Sequence, residues 1–335
     1  MKKFLFPALM AVLSACVQSV DIKGPAYQKK PVLVGTLHPD SLLTVRLSWS
    51  KPTSGTATAV PITDARVIFS QDRIALGQAN HLTNGSYQLS IKPTENHLYA
   101  VSVTLSSGQT LFAEDYLPLW PAGQVIVSDK KKDNVNANPD ITIQLDRALA
   151  DSSFLWMGLY VTQYSSYGYP DGCIVNGQIK EGCVKDIRKL LKSNYITTRS
   201  AVLDPFNGFF DALINKNSNS SPARVRPDVF NANPGYVITV APLNQGEPWI
   251  PEPTNQVPPG ENILELFTVG PAYDRYLKSA ITGFQNRPTD FEGDLFNPFA
   301  EPTPVYSNVK NGLGLFGARN GRYIVLKLNT SNELK

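Results

Sequence analysis

The sequence predicts a mostly β chain with two domains and one amphipathic helix. Short runs of alternating apolar and polar residues recur along it, and this is the period of a strand with one buried face. Turn signals separate the runs, and 26 prolines and 23 glycines supply them. The length of 335 residues exceeds one typical domain, so two are expected.

Residues 26–122 are predicted to form a β-sandwich of immunoglobulin or prealbumin type. In the run LLTVRLSW, Leu43, Val45 and Leu47 alternate with polar residues after a His38-Pro39-Asp40 turn. Roughly seven short strands without a helical period between them are typical of such sandwiches. The same alternation occurs in three later runs, at Ala65, Val67 and Phe69, at Tyr87, Leu89 and Ile91, and at Tyr99, Val101, Val103 and Leu105.

Residues 123–140 break this pattern and are predicted to be an interdomain connection. They contain a run of three lysines and several alternating asparagines, as solvated linkers often do. A calcium loop at residues 133–140 is the alternative. It is disfavoured because the glycine and the closing glutamate of an EF-hand are missing.

Residues 141–335 are predicted to form a larger β-rich domain with one helix. Its strand-like runs are ITIQLDRAL, FLWMGLYVTQYS, YVITVAPL, NILELFTVG and RYIVLKL. Pro271 suits the first turn of the helix, and Arg287-Pro288 ends it. The apolar face of the helix, at i, i+3, i+4 and i+7 spacing, comprises Tyr273, Tyr276, Leu277, Ala280, Ile281 and Phe284.

Residues 1–15 are predicted to be a cleaved lipoprotein signal peptide. Two lysines precede an apolar core that is too short to span a bilayer, and Leu13-Ser14-Ala15 leads into Cys16. Acylation of Cys16 would hold the protein on a lipid membrane, with residues 16–25 as a tether. An ordinary secretory peptide that happens to contain a cysteine is the alternative.

Cys173 and Cys183 are predicted to form a disulfide that closes a small hairpin. They lie in near-repeated contexts on either side of an Asn176-Gly177 turn signal, and an exported protein permits the bond. A pair of metal thiolates is the alternative, but no histidine or further cysteine lies near them in sequence.

Nucleic-acid binding and enzymatic activity are not expected. The net charge of +3 is spread without a basic stripe. The sequence has no nucleophile elbow, His-Glu-x-x-His motif or Walker loop, so no catalytic residue, cofactor or metal is predicted. Paired carboxylates such as Glu114 and Asp115, or Glu292 and Asp294, occur in any chain with 28 acids and are weak evidence for a glycosidase.

Aromatic residues are the candidates for contact with a ligand or partner. Trp156, Tyr160 and Tyr164 share one face of a predicted strand, where rings could stack on sugars or pack on a protein. A core position is favoured for Trp156 and Tyr160. The predicted contact residues are Tyr167 and Tyr169 beside Gly168, the disulfide hairpin, and Trp249 in a proline-rich loop.

Gly312, Gly314 and Gly317 have the G-x-G-x-x-G spacing of a dinucleotide-binding loop. That motif requires a strand before it and a helix after it. Here a proline-broken stretch precedes the glycines and a final strand follows. We therefore predict a tight turn, with Leu313, Leu315 and Phe316 packing as the chain enters its last strand.

The same stretch, PFAEPTPVYSNVKNGLGLFGA, closely resembles the closing motif of a Bacteroidetes lipoprotein family known as domain of unknown function 4249. The motif residues here are Tyr306, Asn308, Gly312, Gly314, Phe316 and Gly317. The resemblance implies an outer-membrane lipoprotein, periplasmic or surface-facing, that is often encoded beside TonB-dependent receptors. It implies no established activity and assigns no catalytic residue.

These observations favour a non-enzymatic accessory or binding protein that works with a TonB-dependent transporter in nutrient uptake. Its ligand would be a small molecule, a glycan or a peptide. A secreted glycan or peptide hydrolase and a structural adhesion module are the alternatives.

Overall fold

The computed structural model describes most of the β architecture. The described residues are 27–52, 58–128, 140–146, 149–150, 152–166, 172–180, 183, 187–198, 218–219, 222–225, 237–243, 261–285, 304–327 and 330–334. The predicted signal peptide and Cys16 lie outside them, as do the predicted contact residues Tyr167, Tyr169 and Trp249. The described part is mostly strand and contains one helix.

Eight strands form the N-terminal sandwich. One of its sheets has the order β5-β6-β2-β1, and the other has the order β4-β3-β7-β8. The strands are β1 Pro31–Leu37, β2 Leu43–Trp49, β3 Arg66–Gln71, β4 Ile74–Gln78, β5 Asn80–His81, β6 Ser86–Leu89, β7 His97–Thr104 and β8 Thr110–Leu117.

The predicted alternation places the expected side chains in the core between these sheets. Val45 and Leu47 of β2 are completely buried, as are Val67 and Phe69 of β3. Burial of each such side chain stabilises the fold by roughly 1.5–3 kcal/mol. The prediction of a sandwich is confirmed.

The second half contains twelve described strands and helix α1, Pro271–Gln285. The helix covers the range and the first-turn proline that the sequence predicts. The strands are β9 Gly123–Ser128, β10 Asp140–Leu145, β11 Phe154–Ser166, β12 Ile174–Val175, β13 Gln178–Ile179, β14 Ile187–Thr198, β15 Ser218–Asn219, β16 Ala223–Arg224, β17 Val237–Leu243, β18 Asn262–Val269, β19 Leu313–Leu326 and β20 Thr330–Leu334.

Most of these strands join one long sheet that continues into the sandwich. Its order is β20-β9-β10-β17-β14-β11-β18-β19-β1-β2-β6-β5, while β15 pairs with β14 and β16 with β11. A second apolar core contains Val125 and Ile141 from β9 and β10 together with Leu155 and Leu264 from β11 and β18. The sheet therefore curls so that these strands pack on one another.

The predicted disulfide hairpin is confirmed. Cys173 and Cys183 are bonded, with their Cα atoms 5.8 Å apart. The strands β12 and β13 pair between them, and Asn176 and Gly177 both have positive φ at the turn.

The prediction that residues 123–140 form a connection was wrong at its two ends. Gly123–Ser128 is a strand that pairs with β10 on one side and β20 on the other, and Asp140 begins β10. Residues 129–139 lie outside the described residues. The alternating Val125 and Val127, both buried, are the signal for β9 in the sequence.

The prediction of a tight turn at Gly312, Gly314 and Gly317 was also wrong. The turn comes earlier, at Asn311, which has a φ of 60°. Residues 313–318 of β19 then pair in parallel with β1, from Val32 opposite Leu313 to Leu37 opposite Ala318. The last long strand of the chain thereby completes the N-terminal sandwich, and Phe316 packs against Phe69 with ring centroids 6.2 Å apart.

Candidate functional site

Helix α1 covers part of one face of the sheet formed by β11, β18 and β19. Trp156, Phe267 and Val269 form a small buried cluster there, and Tyr273 and Leu277 of the helix pack against it. Trp156 is completely buried, so the core position favoured for it is confirmed.

A buried ionic network fixes the helix on this face. Asp274 accepts hydrogen bonds from Trp156 Nε1 at 2.9 Å and from Arg224 Nε and Nη2 at 2.6 and 3.0 Å. Asp274 is 3% and Arg224 6% exposed, and the guanidinium lies 4.6 Å from the centroid of the Phe154 ring. Removal of either partner of such a buried pair strongly destabilises a protein, because the other charge is left buried and unpaired. The ion pair therefore holds the helix tightly in position.

Asp115 ties the sandwich, the helix and β19 together. Its Oδ1 accepts the backbone N–H of Ala272, and its Oδ2 accepts those of Tyr273 and Ala318. Two of these N–H groups belong to the first turn of the helix, which has no other backbone partners for them. Burial outweighs these bonds and raises the pKa of Asp115 to about 6.

Asn308 of the closing motif replaces a neighbouring strand beside β19. Its side-chain amide accepts the N–H of Phe316 at 3.0 Å and donates to the Phe316 carbonyl at 2.8 Å. It also donates to the carbonyl of Glu114 in β8 at 2.9 Å. One side chain thus satisfies both backbone groups of Phe316 and joins them to the second sheet.

The glycines of the motif allow close packing on both faces of β19. A Cβ on Gly314, whose φ is +115°, would lie 2.0 Å from the Leu33 carbonyl oxygen in β1. A Cβ on Gly317 would lie 2.4 Å from the Tyr273 ring of the helix, and one on Gly312 2.9 Å from the Pro31 carbonyl oxygen. A side chain would not fit at any of the three glycines, so their G-x-G-x-x-G spacing allows neighbouring elements to pack closely against this part of the chain.

Tyr306 lines an open cleft of about 630 Å³ beside the helix. Its backbone N–H donates to Ser279 Oγ at 2.8 Å, and its ring lies 5.9 Å from the Arg275 guanidinium. Lys278 also lines the cleft, so its walls combine positive charge with an aromatic ring.

A second buried carboxylate, Glu265, lies near Tyr273 in the first turn of the helix. Glu265 is 4% exposed, accepts the Tyr160 hydroxyl at 2.9 Å and pairs with Arg319. The guanidinium of Arg319 lies 4.3 Å from the centroid of the Phe267 ring. This cluster joins β11, β18 and β19, and the half-buried Tyr160 is part of it, as a core position predicts.

Tyr323 lies at the rim of the same cluster with its ring exposed. The residue is 63% exposed, but its hydroxyl end is directed to Glu265. Loss of solvation at that end is the largest cause that raises the pKa of the Tyr323 phenol. The hydrogen bond to Glu265 and the negative charge of Glu265 raise this pKa further. Val325, two residues on and thus on the same face, is 40% exposed.

The two halves of β19 differ in their neighbours. Residues 313–318, here called the enclosed half, have β1 along one edge and Asn308 and Asp115 along the other. Residues 319–326, here called the open half, pair with β18 along one edge. No other strand in the described part of the chain pairs with their second edge.

The identity of the unpaired backbone groups follows from the alternation of a strand. Gly270 N–H donates to the Ala318 carbonyl. The backbone N–H and C=O groups of even-numbered residues therefore point toward β18, and those of odd-numbered residues point toward the other edge. His38 Nε2 lies 3.4 Å from the Gly321 carbonyl oxygen on that edge. The N–H and C=O groups of Tyr323 and Val325 come next, and no described strand pairs with them.

The sequence model of the family described as Domain of unknown function (DUF4249) matches residues 17–322. The chain belongs to this family. No curated protein matches the chain.

The resemblance of the closing motif to the DUF4249 family is thereby confirmed, and the structure gives its motif residues a physical role. Asn308, Gly314, Phe316 and Gly317 position β19 between the sandwich and the helix, while Tyr306 lines the cleft. The lipoprotein character and the membrane location remain predictions, since Cys16 lies outside the described residues.

Sequence reasoning missed the exposed edge of β19 at Tyr323. Of the aromatic residues it proposed as contacts, Tyr167, Tyr169 and Trp249 lie outside the described residues. The run RYIVLKL was recognised as a strand, but its pairing with β18 could not be derived from it. The alternation of Tyr323 and Val325 was the available signal.

Two further observations concern the described residues alone. They contain no group of three or more His, Cys, Asp and Glu side chains that could hold a metal ion. Among them no helix is both long enough and apolar enough to cross a membrane.

Proposed function

We propose that this protein is a membrane-anchored, non-enzymatic binding component that works with a TonB-dependent outer-membrane transporter in nutrient uptake. The observation that supports a binding role is the exposed aromatic edge of β19. Monomeric proteins seldom expose apolar side chains beside unpaired strand groups without a partner.

The position of this edge relative to the tether supports the proposal. The strands β1 and β19 are parallel, with Val32 opposite Leu313. The tether enters at the start of β1, and Val325 lies twelve residues further along than Leu313, which is about 40 Å at strand spacing. An anchor at Cys16 would therefore leave the open edge of β19 about 40 Å from the point where the tether joins β1.

The anchor rests on the Leu-Ser-Ala-Cys pattern at residues 13–16. The chain from Cys16 to the first strand could span up to about 50 Å when extended. This is enough to let the folded part reach a neighbouring transporter in the same membrane.

Purification from the native membrane tests the proposal. We expect a transporter to co-purify with the wild-type protein, and Cys16→Ala to release the protein into the soluble fraction. Membrane retention of Cys16→Ala would refute the anchor. Absence of a transporter, together with turnover of a glycan or peptide panel by the pure protein, would favour a hydrolase instead.

A further inference from the structure

The open half of β19 presents hydrogen-bonding groups in line with the end of β1. β1 pairs with β19 up to Leu37 opposite Ala318, and His38 then leads the chain away through a turn. Beyond the contact of His38 with Gly321, the backbone groups of Tyr323 and Val325 face the position that a continued β1 would occupy. A strand that paired with residues 322–325 there would be about four residues long.

We propose that the open half of β19 binds an extended acidic segment of a partner protein by strand addition. The inference deepens the proposed function, on which it rests, by assigning the surface and the chemistry of its partner. The N–H and C=O groups of Tyr323 and Val325 would make the main-chain hydrogen bonds, as in other complexes in which a peptide extends a sheet.

The side chains of the open half define the sequence of such a segment. Tyr323 and Val325 project on one face, and residues directly opposite them in a paired strand project on the same face. Arg322 is exposed and projects on the opposite face. The incoming segment should therefore place apolar residues opposite Tyr323 and Val325 and an acidic residue opposite Arg322.

Charge favours an acidic partner. Residues 319–326 contain two arginines and no carboxylate. Arg319 is neutralised by the buried Glu265, whereas Arg322 contacts the neutral ring of Trp120, whose centroid lies 5.4 Å from the guanidinium. Arg322 thus keeps its charge available to an opposing carboxylate at the edge.

The edge also lacks the features that usually prevent strand addition. Proteins protect their edges with prolines, bulges or inward-pointing charges. Residues 322–326 contain no proline, and their pairing with β18 runs without a bulge. The exposed ring of Tyr323, held at its hydroxyl end by Glu265, is already ordered, which lowers the entropy lost on binding.

A synthetic peptide that alternates valine and glutamate over ten residues is a direct probe. We expect it to shift the backbone NMR signals of residues 321–326 in the full mature chain, while a scrambled peptide of the same composition does not. Arg322→Glu should weaken binding of this peptide at least tenfold and permit binding of a valine–lysine counterpart. Ile74→Asp, at an exposed residue of β4, is the matched control and should bind as the wild type does.

Val325→Pro separates backbone pairing from side-chain contact. The N–H of Val325 points away from β18. A proline at this position therefore removes a hydrogen-bond donor from the open edge without removing a hydrogen bond between β18 and β19. We expect loss of peptide binding with an unchanged circular dichroism spectrum.

With the purified protein, any one of three results would overturn the proposal. They are no binding of the valine–glutamate peptide, equal binding by Arg322→Glu, or a dimer in sedimentation that Val325→Pro dissociates, since a second copy would then occupy the edge. If a transporter co-purifies equally with wild type and Val325→Pro, the proposed function stands and this inference alone fails.

Discussion

The two halves of β19 perform different tasks within one strand. The enclosed half has partners along both edges, and Phe316 is completely buried at its centre. Among the described strands, the open half pairs only with β18, and Tyr323 is 63% exposed. Three residues of the closing motif, Gly314, Phe316 and Gly317, lie in the enclosed half, where they pack the strand against β1 and the helix.

Truncation of one aromatic residue in each half should give the largest contrast. Phe316→Ala removes a fully buried ring and should lower the free energy of unfolding by about 3–5 kcal/mol. Tyr323→Ala removes an exposed ring and its hydrogen bond to Glu265, and should lower it by only about 1 kcal/mol. Urea unfolding of both variants measures this difference, and equal losses would contradict the assignment of the halves.

Gly314→Ala should be nearly as damaging. The added Cβ would lie 2.0 Å from the Leu33 carbonyl oxygen, and its φ of +115° is strained for alanine. Strain and overpacking together predict a loss of about 3 kcal/mol. Gly108→Ala is the matched control, because Gly108 also has a positive φ, +83°, but nothing lies within 4 Å of its added Cβ. It should lose only about 1 kcal/mol.

The junction between the halves should respond to pH through Asp115, which binds Ala318. Its pKa is raised from 3.8 to about 6, so between these values the folded protein holds a proton that the unfolded chain has released. The resulting stability is full below the unfolded pKa and is lost as the pH rises through about 6. Relative to Asp115→Asn, the wild type should gain up to about 3 kcal/mol between pH 7 and pH 4.

Thermal unfolding of both proteins across this range measures the gain. Parallel stability curves for wild type and Asp115→Asn would contradict the assignment. If the variant does not fold, an NMR titration of the Asp115 carboxyl in the wild type gives the pKa directly.

Asn308→Ala should have a smaller effect. It leaves the N–H and C=O of Phe316 without their side-chain partner, which predicts a loss of about 2 kcal/mol. Asn308→Asp keeps an acceptor for the N–H but no donor for the carbonyl, so it should also be less stable than the wild type. Wild-type stability in both variants, measured by urea unfolding, would show that Asn308 is dispensable as a strand substitute.

Local patterns in the sequence predicted the sandwich strands, helix α1 and the disulfide, because each depends on residues close together in the chain. The partnership of β1 with β19 could not be predicted, since nothing in PVLVGTL specifies a partner near the other terminus. The Glu265, Arg319 and Tyr160 cluster depends in the same way on the register of three strands. The glycine motif indicated close packing correctly, but only the parallel pairing with Leu33 distinguishes a strand from a turn.

Amide hydrogen exchange along β19, followed by NMR on the unliganded protein, tests the central claim most directly. In the enclosed half we expect protection of both Leu315, on the β1 edge, and Phe316, on the Asn308 edge. In the open half we expect alternation, with Arg322 and Ile324 protected by β18 and Tyr323 and Val325 exchanging at least a hundredfold faster. Uniform protection from Leu315 to Val325 would contradict the difference between the two halves.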